Sequence, residues 1–186
     1  MIIEALDSER RLFAVSNILP NNLAKQVQEL NWLNLSYGKQ PGQETWSRRL
    51  VNSDTGLLKE VNEYYVSIID QLGDACGVEF KYPSTGWWLD EPGFTVSVHT
   101  DGHLPCSMQI FWIMPTEEYG TKFYNDKGAK DVRFAPKGVP NTGYIMLNLP
   151  DNNGSQPLHW HGMLNPVPKD TIRVCSYTTF GTYENK

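Results

Sequence analysis

His99 and Asp101 stand two residues apart at the end of an alternating apolar run, "FTVSVHTD". In an extended strand, residues i and i+2 project to the same face, so an imidazole nitrogen and a carboxylate oxygen can reach one ion. The chain has four histidines, and a His-x-Asp pair arises by chance in roughly one chain in five of this composition, so the pair alone decides little. Two ligands do not hold a metal firmly, and "LHWHGML" supplies a third from His159 or His161, again at i and i+2. Two histidines and one carboxylate on one face of an octahedron leave three positions open, the arrangement of non-haem iron(II) oxygenases.

Further along, "TIRVCSYTTF" sets Arg173 among apolar and β-branched residues. A guanidinium is costly to bury unpaired, so this position calls for an anion. Its planar fork suits a carboxylate, with about 1.5–3 kcal/mol per charge-assisted hydrogen bond. A structural Asp or Glu would answer the same need.

The elements that must position these groups follow from periodicity. "RLFAVSNI" reads as a short strand, and Pro20 opens a helix with Leu23, Val27 and Leu30 on one face. A second helix is predicted over "DTGLLKEVNEYYVSIIDQLGDACG", with Leu57, Leu58, Val61, Tyr65, Ile68, Ile69 and Leu72 as its apolar face and Gly77 as its stop. The polar, Gly- and Pro-bearing "SYGKQPGQETWSRR" between them is expected to be a mobile loop, with Trp46, Arg48 and Arg49 as lid or substrate residues.

After Gly77 the period becomes strand-like. Eight or nine short runs, from "VEFKYP" and "GWWLD" to "TIRVCSYTTF", are separated by turn clusters such as "NDKGAK" and "PDNNGSQP". This order predicts one mainly β domain over 1–186, with 1–77 as helical support and 78–186 as a sandwich or barrel, of which a jelly roll is one solution. Trp87, Trp88 and Trp112 are expected in the core rather than as a substrate platform. His103 is expected in a loop near the metal pair, and Glu117 and Glu118 in a solvated turn.

With 186 residues and 40% hydrophobic composition the chain can bury one substantial core. A net charge of −5 with scattered Lys and Arg disfavours nucleic acid as a partner. Three separated cysteines, Cys76, Cys106 and Cys175, form no CxxC and suit a reducing compartment. The charged start "MIIEALDSERR" is not a signal peptide, and no run approaches the ~20 apolar residues of a membrane span. The expectation is a soluble, cytoplasmic protein.

Taken together, "VHTDGH", "TKFYN", "WHGM" and "IRVCSY" resemble successive strand motifs of the 2-oxoglutarate and iron(II)-dependent dioxygenases, in particular their small prolyl-4-hydroxylase-like branch. That branch includes short versions encoded by bacterial viruses, so the resemblance also admits a virus-encoded protein acting in the host cytoplasm. The resemblance spans about Gly86 to Phe180 and implies a double-stranded β-helix, or jelly roll. It implies iron(II) held by His99, Asp101 and His161, with His159 as the other choice for third ligand. It implies 2-oxoglutarate as cosubstrate, its distal carboxylate on Arg173, and dioxygen as oxidant. The reaction implied is hydroxylation of a C–H bond, of a prolyl or amino-acid substrate, with release of succinate and carbon dioxide. Many relatives carry Arg-x-Ser where this chain has Cys175; a thiol donates weakly, and Tyr124 is the expected replacement donor. Two other readings fit the same residues: a cupin-type metalloenzyme that does not use 2-oxoglutarate, and a catalytically silent jelly-roll binding module.

Overall fold

In the computed structural model, which describes residues 1–7, 11–38, 47–54, 56–150, 154–155 and 158–182, the chain opens with β1 (Ile2–Asp7) and β2 (Leu12–Ser16). There follow α1 (Asn21–Gln28), β3 (Tyr37–Gly38), β4 (Arg48–Val51), α2 (Gly56–Ser67) and α3 (Ile69–Cys76). The remaining strands are β5 (Phe80–Asp90), β6 (Val96–His99), β7 (Cys106–Ile113), β8 (Lys122–Tyr124), β9 (Val132–Phe134), β10 (Thr142–Leu147), β11 (Trp160–Met163) and β12 (Arg173–Thr182).

The strands form two antiparallel sheets. The larger has the order β1-β2-β10-β7-β12-β5-β4-β3 and the smaller β6-β11-β8-β9. From β5 onward the chain crosses between them: β5, β7, β10 and β12 lie in the large sheet, β6, β8, β9 and β11 in the small one. Four strands facing four, joined in this sequence, make the expected double-stranded β-helix. "VEFKYP" and "GWWLD", read as two strands, are one continuous β5, because Tyr82 takes a positive φ of 48° and kinks the strand without ending it.

The first 77 residues contribute strands as well as helices. Strands β1 to β4 widen both edges of the large sheet, β2 pairing with β10 and β4 with β5. The second predicted helix is two, broken at Ile68, where φ is −106° and ψ 8°. Gly77 ends it as expected, in the left-handed conformation at φ 71°. Of the expected mobile loop, 39–46 and with it Trp46 lie outside the described residues, while its ends form β3 and β4.

Period-two alternation divides the large sheet into a helix-facing side and a cavity-facing side. Trp87, Leu89, Ile110 and Trp112 turn outward and pack with Leu58, Val61, Tyr65 and Leu72 of the helices. Trp87 stacks between Trp32 and Trp112, each 5.8 Å away centroid to centroid, so these two tryptophans are core. Phe111, Tyr144, Met146 and Cys175 turn inward and meet Phe123 of the small sheet.

Gly162, next to His161, is where the small sheet is tightest. A Cβ there would lie 2.7 Å from the Val96 carbonyl oxygen and 3.1 Å from that of Ser97, so only glycine lets β6 and β11 approach so closely. Gly162→Ala should therefore force the two strands apart and destabilise the fold by about 1–3 kcal/mol. Thermal unfolding of the variant checks this; an unchanged melting temperature would mean that the strands shift without cost.

Candidate functional site

The pairing of β6 with β11 sets His161 directly opposite His99, with ring centroids 4.4 Å apart. Asp101, two residues beyond His99, folds back between them. Its Oδ1 lies 3.3 Å from His99 Nε2 and its Oδ2 3.5 Å from His161 Nε2. Ligands on adjacent octahedral positions, with bonds of about 2.0–2.2 Å, stand roughly 3 Å apart, so the trio needs only a small contraction around an ion. Among the described residues, His99, Asp101 and His161 are the group whose donor atoms converge in this way, all within 4.8 Å of one another.

The ring tautomers suit ligation. His99 Nδ1 lies 2.8 Å from the Ser97 carbonyl oxygen, and His161 Nδ1 lies 2.8 Å from that of His159. A carbonyl can only accept, so each Nδ1 carries a proton and each Nε2 faces Asp101, where a proton shared with the carboxylate would give way to a metal. His159 itself is buried and directs Nε2 to the Leu147 carbonyl, 3.3 Å away. It contributes to the site through its backbone oxygen, and His161 is the one brought to His99 and Asp101.

Asp101 is held by its neighbours. The Tyr177 hydroxyl donates to Oδ2 at 2.6 Å, and Asn148 Nδ2 donates to the backbone oxygens of Asp101 and Leu104 at 3.0 and 2.9 Å. Burial by itself would raise the carboxyl's pKa. Hydrogen bonds with His161, His99 and Tyr177 outweigh it and hold the group far below the usual carboxylate range. The hydroxyls of Tyr144 and Tyr177 are pushed well up, chiefly by burial, and stay neutral donors.

Beside the trio lies a cavity of 520 Å³ whose walls include Trp88, Gln109, Thr121, Tyr144, Arg173 and Tyr177. Arg173 is almost wholly buried, and its Nη1 donates to Asp90 Oδ2 at 2.5 Å. Its Nε has no partner among the described residues. Asp90, fully buried, also receives Arg48 Nε on Oδ1 at 2.5 Å and Arg48 Nη2 on Oδ2 at 3.1 Å. The two arginines and two acids at this cavity cancel one another's charge.

Cys175 sits two residues from Arg173 on the same face. Burial pushes its thiol up, against the pull of Arg173, so it remains protonated. Gln109 Nε2 reaches its sulfur at 3.4 Å, and Thr121 donates to Gln109 Oε1 at 2.6 Å. Tyr124, expected as the donor in place of serine, turns away from this cavity and lines a shallow depression with Lys122 and Leu164. Strand alternation explains it: Phe123 takes the inward position, 5.5 Å from the His161 ring. Tyr144 and Thr121 occupy the wall that Tyr124 was expected to reach. His103 is exposed at the cavity rim, and Arg49 pairs with Glu91 outside the cavity. Glu117 and Glu118 are exposed in a short helical turn, as expected.

No family model and no curated protein matches the chain. Solved structures do. A prolyl-4-hydroxylase from Pseudomonas putida superposes with a TM-score of 0.59 at 12% identity, over 94% of each chain. The viral collagen prolyl hydroxylase of Paramecium bursaria Chlorella virus 1, solved with 2-oxoglutarate, gives 0.58 at 10%, over 93% of this chain and 97% of that one. JOX2, solved with 2-oxoglutarate, iron and JA, gives 0.60 at 12%, over 96% and 70%. The chain shares their fold. Two of the three are prolyl hydroxylases, the kind that the motifs around His99, His161 and Arg173 resemble, and at these identities the double-stranded β-helix is what is held in common.

Sequence reading missed Asp90, Tyr144, Gln109, Thr121 and Tyr177. Tyr177 had a signal, since Arg173, Cys175 and Tyr177 follow at i, i+2 and i+4 on one strand face. Tyr177→Phe removes the donor on Asp101 and leaves the fold's apolar contacts in place. It should weaken divalent metal binding about tenfold, within the range for loss of such a support. Metal titration followed by calorimetry checks this, and an unchanged affinity would make that hydrogen bond irrelevant to ligation.

Proposed function

We propose that the protein is a 2-oxoglutarate and iron(II)-dependent oxygenase that hydroxylates an unactivated C–H bond of a small-molecule or peptide substrate. Within that class, a prolyl residue or an amino acid is the substrate to try first, on the resemblance of its motifs. The observation that carries the reading is the convergence of His99 Nε2, Asp101 and His161 Nε2 beside a cavity walled by a buried arginine.

Iron(II), with 2-oxoglutarate and dioxygen, supplies the oxidising chemistry and yields succinate and carbon dioxide beside the hydroxylated product. The chain's residues do the holding. His99, Asp101 and His161 bind the metal, and the backbone oxygens of Ser97 and His159 fix the two rings. Tyr177 keeps Asp101 oriented and ionised. Arg173, which walls the cavity and which Asp90 engages through Nη1, would receive the distal carboxylate of 2-oxoglutarate. Tyr144 adds a neutral donor where relatives use a serine, and Thr121 holds Gln109 in place beside it.

Charge supports the same ligand. The formal charges at the cavity cancel among the described residues, so a divalent ion leaves two positive charges. A dicarboxylate closes that balance and a monocarboxylate does not. Phe111, Phe123 and Trp88 close off apolar wall around the reacting groups, which strengthens each electrostatic contact inside. The three cysteines are free and buried, in keeping with a reducing, cytoplasmic setting. None of the described helices is long and apolar enough to cross a membrane.

Anaerobic protein with iron(II) should develop a visible charge-transfer band on addition of 2-oxoglutarate. Asp101→Ala should lose both metal and band. Arg173→Gln should keep the metal and need at least about tenfold more 2-oxoglutarate, the loss of one charge-assisted contact. Metal bound without any band would favour the cupin-type alternative, and an unchanged requirement in the Arg173 variant would move the carboxylate site elsewhere.

A further inference from the structure

Strands β4, β5 and β12 run side by side, and their register sets Arg48, Asp90 and Arg173 directly opposite one another. Two guanidiniums thus share one carboxylate, in a place where Asp90 is fully buried and the side chains of Arg173 and Arg48 are 1% and 16% exposed. If only the anchoring of Arg173 were at stake, a one-to-one pair would serve, and a second cation adds desolvation cost without adding a partner.

The two arginines use Asp90 differently. Arg48 grips it with two nitrogens, and its guanidinium lies over Phe94 at 4.2 Å and Trp88 at 5.1 Å, which take up its remaining face. Arg173 touches Asp90 through Nη1, and its Nε is left without a partner among the described residues. Two cations and one anion leave the row with one uncompensated positive charge beside the cavity that Arg173 and Arg48 line.

We infer that Arg48 is a positioning residue for cosubstrate binding: by engaging Asp90 it stops that carboxylate from satisfying Arg173, and so keeps Arg173 available to an incoming carboxylate. Asp90 is then an internal competitor held in check. This rests on the reading of Arg173 as the 2-oxoglutarate anchor. Without Arg48, Asp90 turns wholly to Arg173, and the cosubstrate must displace a closed, buried ion pair.

The test is the 2-oxoglutarate dissociation constant of iron(II)-loaded protein under anaerobic conditions, read from the charge-transfer band and from the thermal shift that 2-oxoglutarate produces. Loss of a charge this close, in a partly desolvated site, should weaken binding in R48M about tenfold or more. R48K keeps the charge and loses the two-point grip, so its constant should fall between those of wild type and R48M. D90N should bind at least as tightly as wild type, and R48M/D90N should recover most of the R48M loss. That recovery separates competition by Asp90 from simple loss of packing. An R48M constant within about threefold of wild type, or a double variant as weak as R48M, overturns the inference. Should R48M fail to melt cooperatively, weakened binding in D90N overturns it instead. If wild type takes up iron and shows no response to 2-oxoglutarate, the cosubstrate reading itself falls, an outcome distinct from every variant result.

Discussion

The close pairing of β6 with β11 is the contact on which the site depends. It puts His161 opposite His99, and the turn after β6 then carries Asp101 back between the rings. Neither strand could do this alone, since β6 and β11 are four residues each and neither has a wide apolar face. They are held by Phe123 behind His161 and by Asn148, which ties the loop after Asp101 to the end of β10. The missing side chain at Gly162 is what permits the approach, so a residue with no chemistry of its own sets the spacing of three that have it.

A second constraint runs through the large sheet. Alternation turns every other residue of β5, β7 and β12 to the cavity side of the sheet, where Gln109, Arg173 and Tyr177 line the cavity and Asp90 lies buried against the arginines. Such groups are costly in a core unless each has a partner. Here Gln109 links Thr121 to Cys175, Asp90 joins two arginines, and Tyr177 reaches Asp101 across to the other sheet. The helices cover the opposite face, where tryptophan and aliphatic residues fill most of the space and Ser176 meets the Tyr65 hydroxyl and the Trp112 indole. The sheet thus separates a largely apolar layer that supplies stability from a more polar one that lines the cavity.

How much of this was legible beforehand follows the same division. His99, Asp101 and Arg173 could be named from strand period and residue type, whereas the same period left His159 and His161 open and the preference for His161 came from the resemblance. Asp90 and Tyr177 were equally accessible in principle, each two or four positions along a strand from a cavity residue. Tyr144, Gln109 and Thr121 were not, because their arrival at Arg173 depends on the register between strands that sequence spacing does not encode. Tyr124 was expected inside for want of knowing which residue of "TKFY" faces inward. Strands β3 and β4 escaped notice because two and four residues carry no readable period, and the break at Ile68 has neither glycine nor proline to mark it.

The order of the large sheet has a consequence for how the molecule comes into being. β12 lies between β7 and β5, both of which precede it by more than fifty residues, and it carries Arg173, Cys175 and Tyr177. Until that strand inserts, β5 and β7 each present an unsatisfied row of backbone donors and acceptors at the middle of the sheet. A nascent chain short of residue 173 therefore has His99, Asp101 and His161 already made, without Arg173 and with an open slot for a foreign strand. Assembly by insertion of a central strand makes long-range pairing the slow step, and the full lining of the cavity arrives with it rather than in stages.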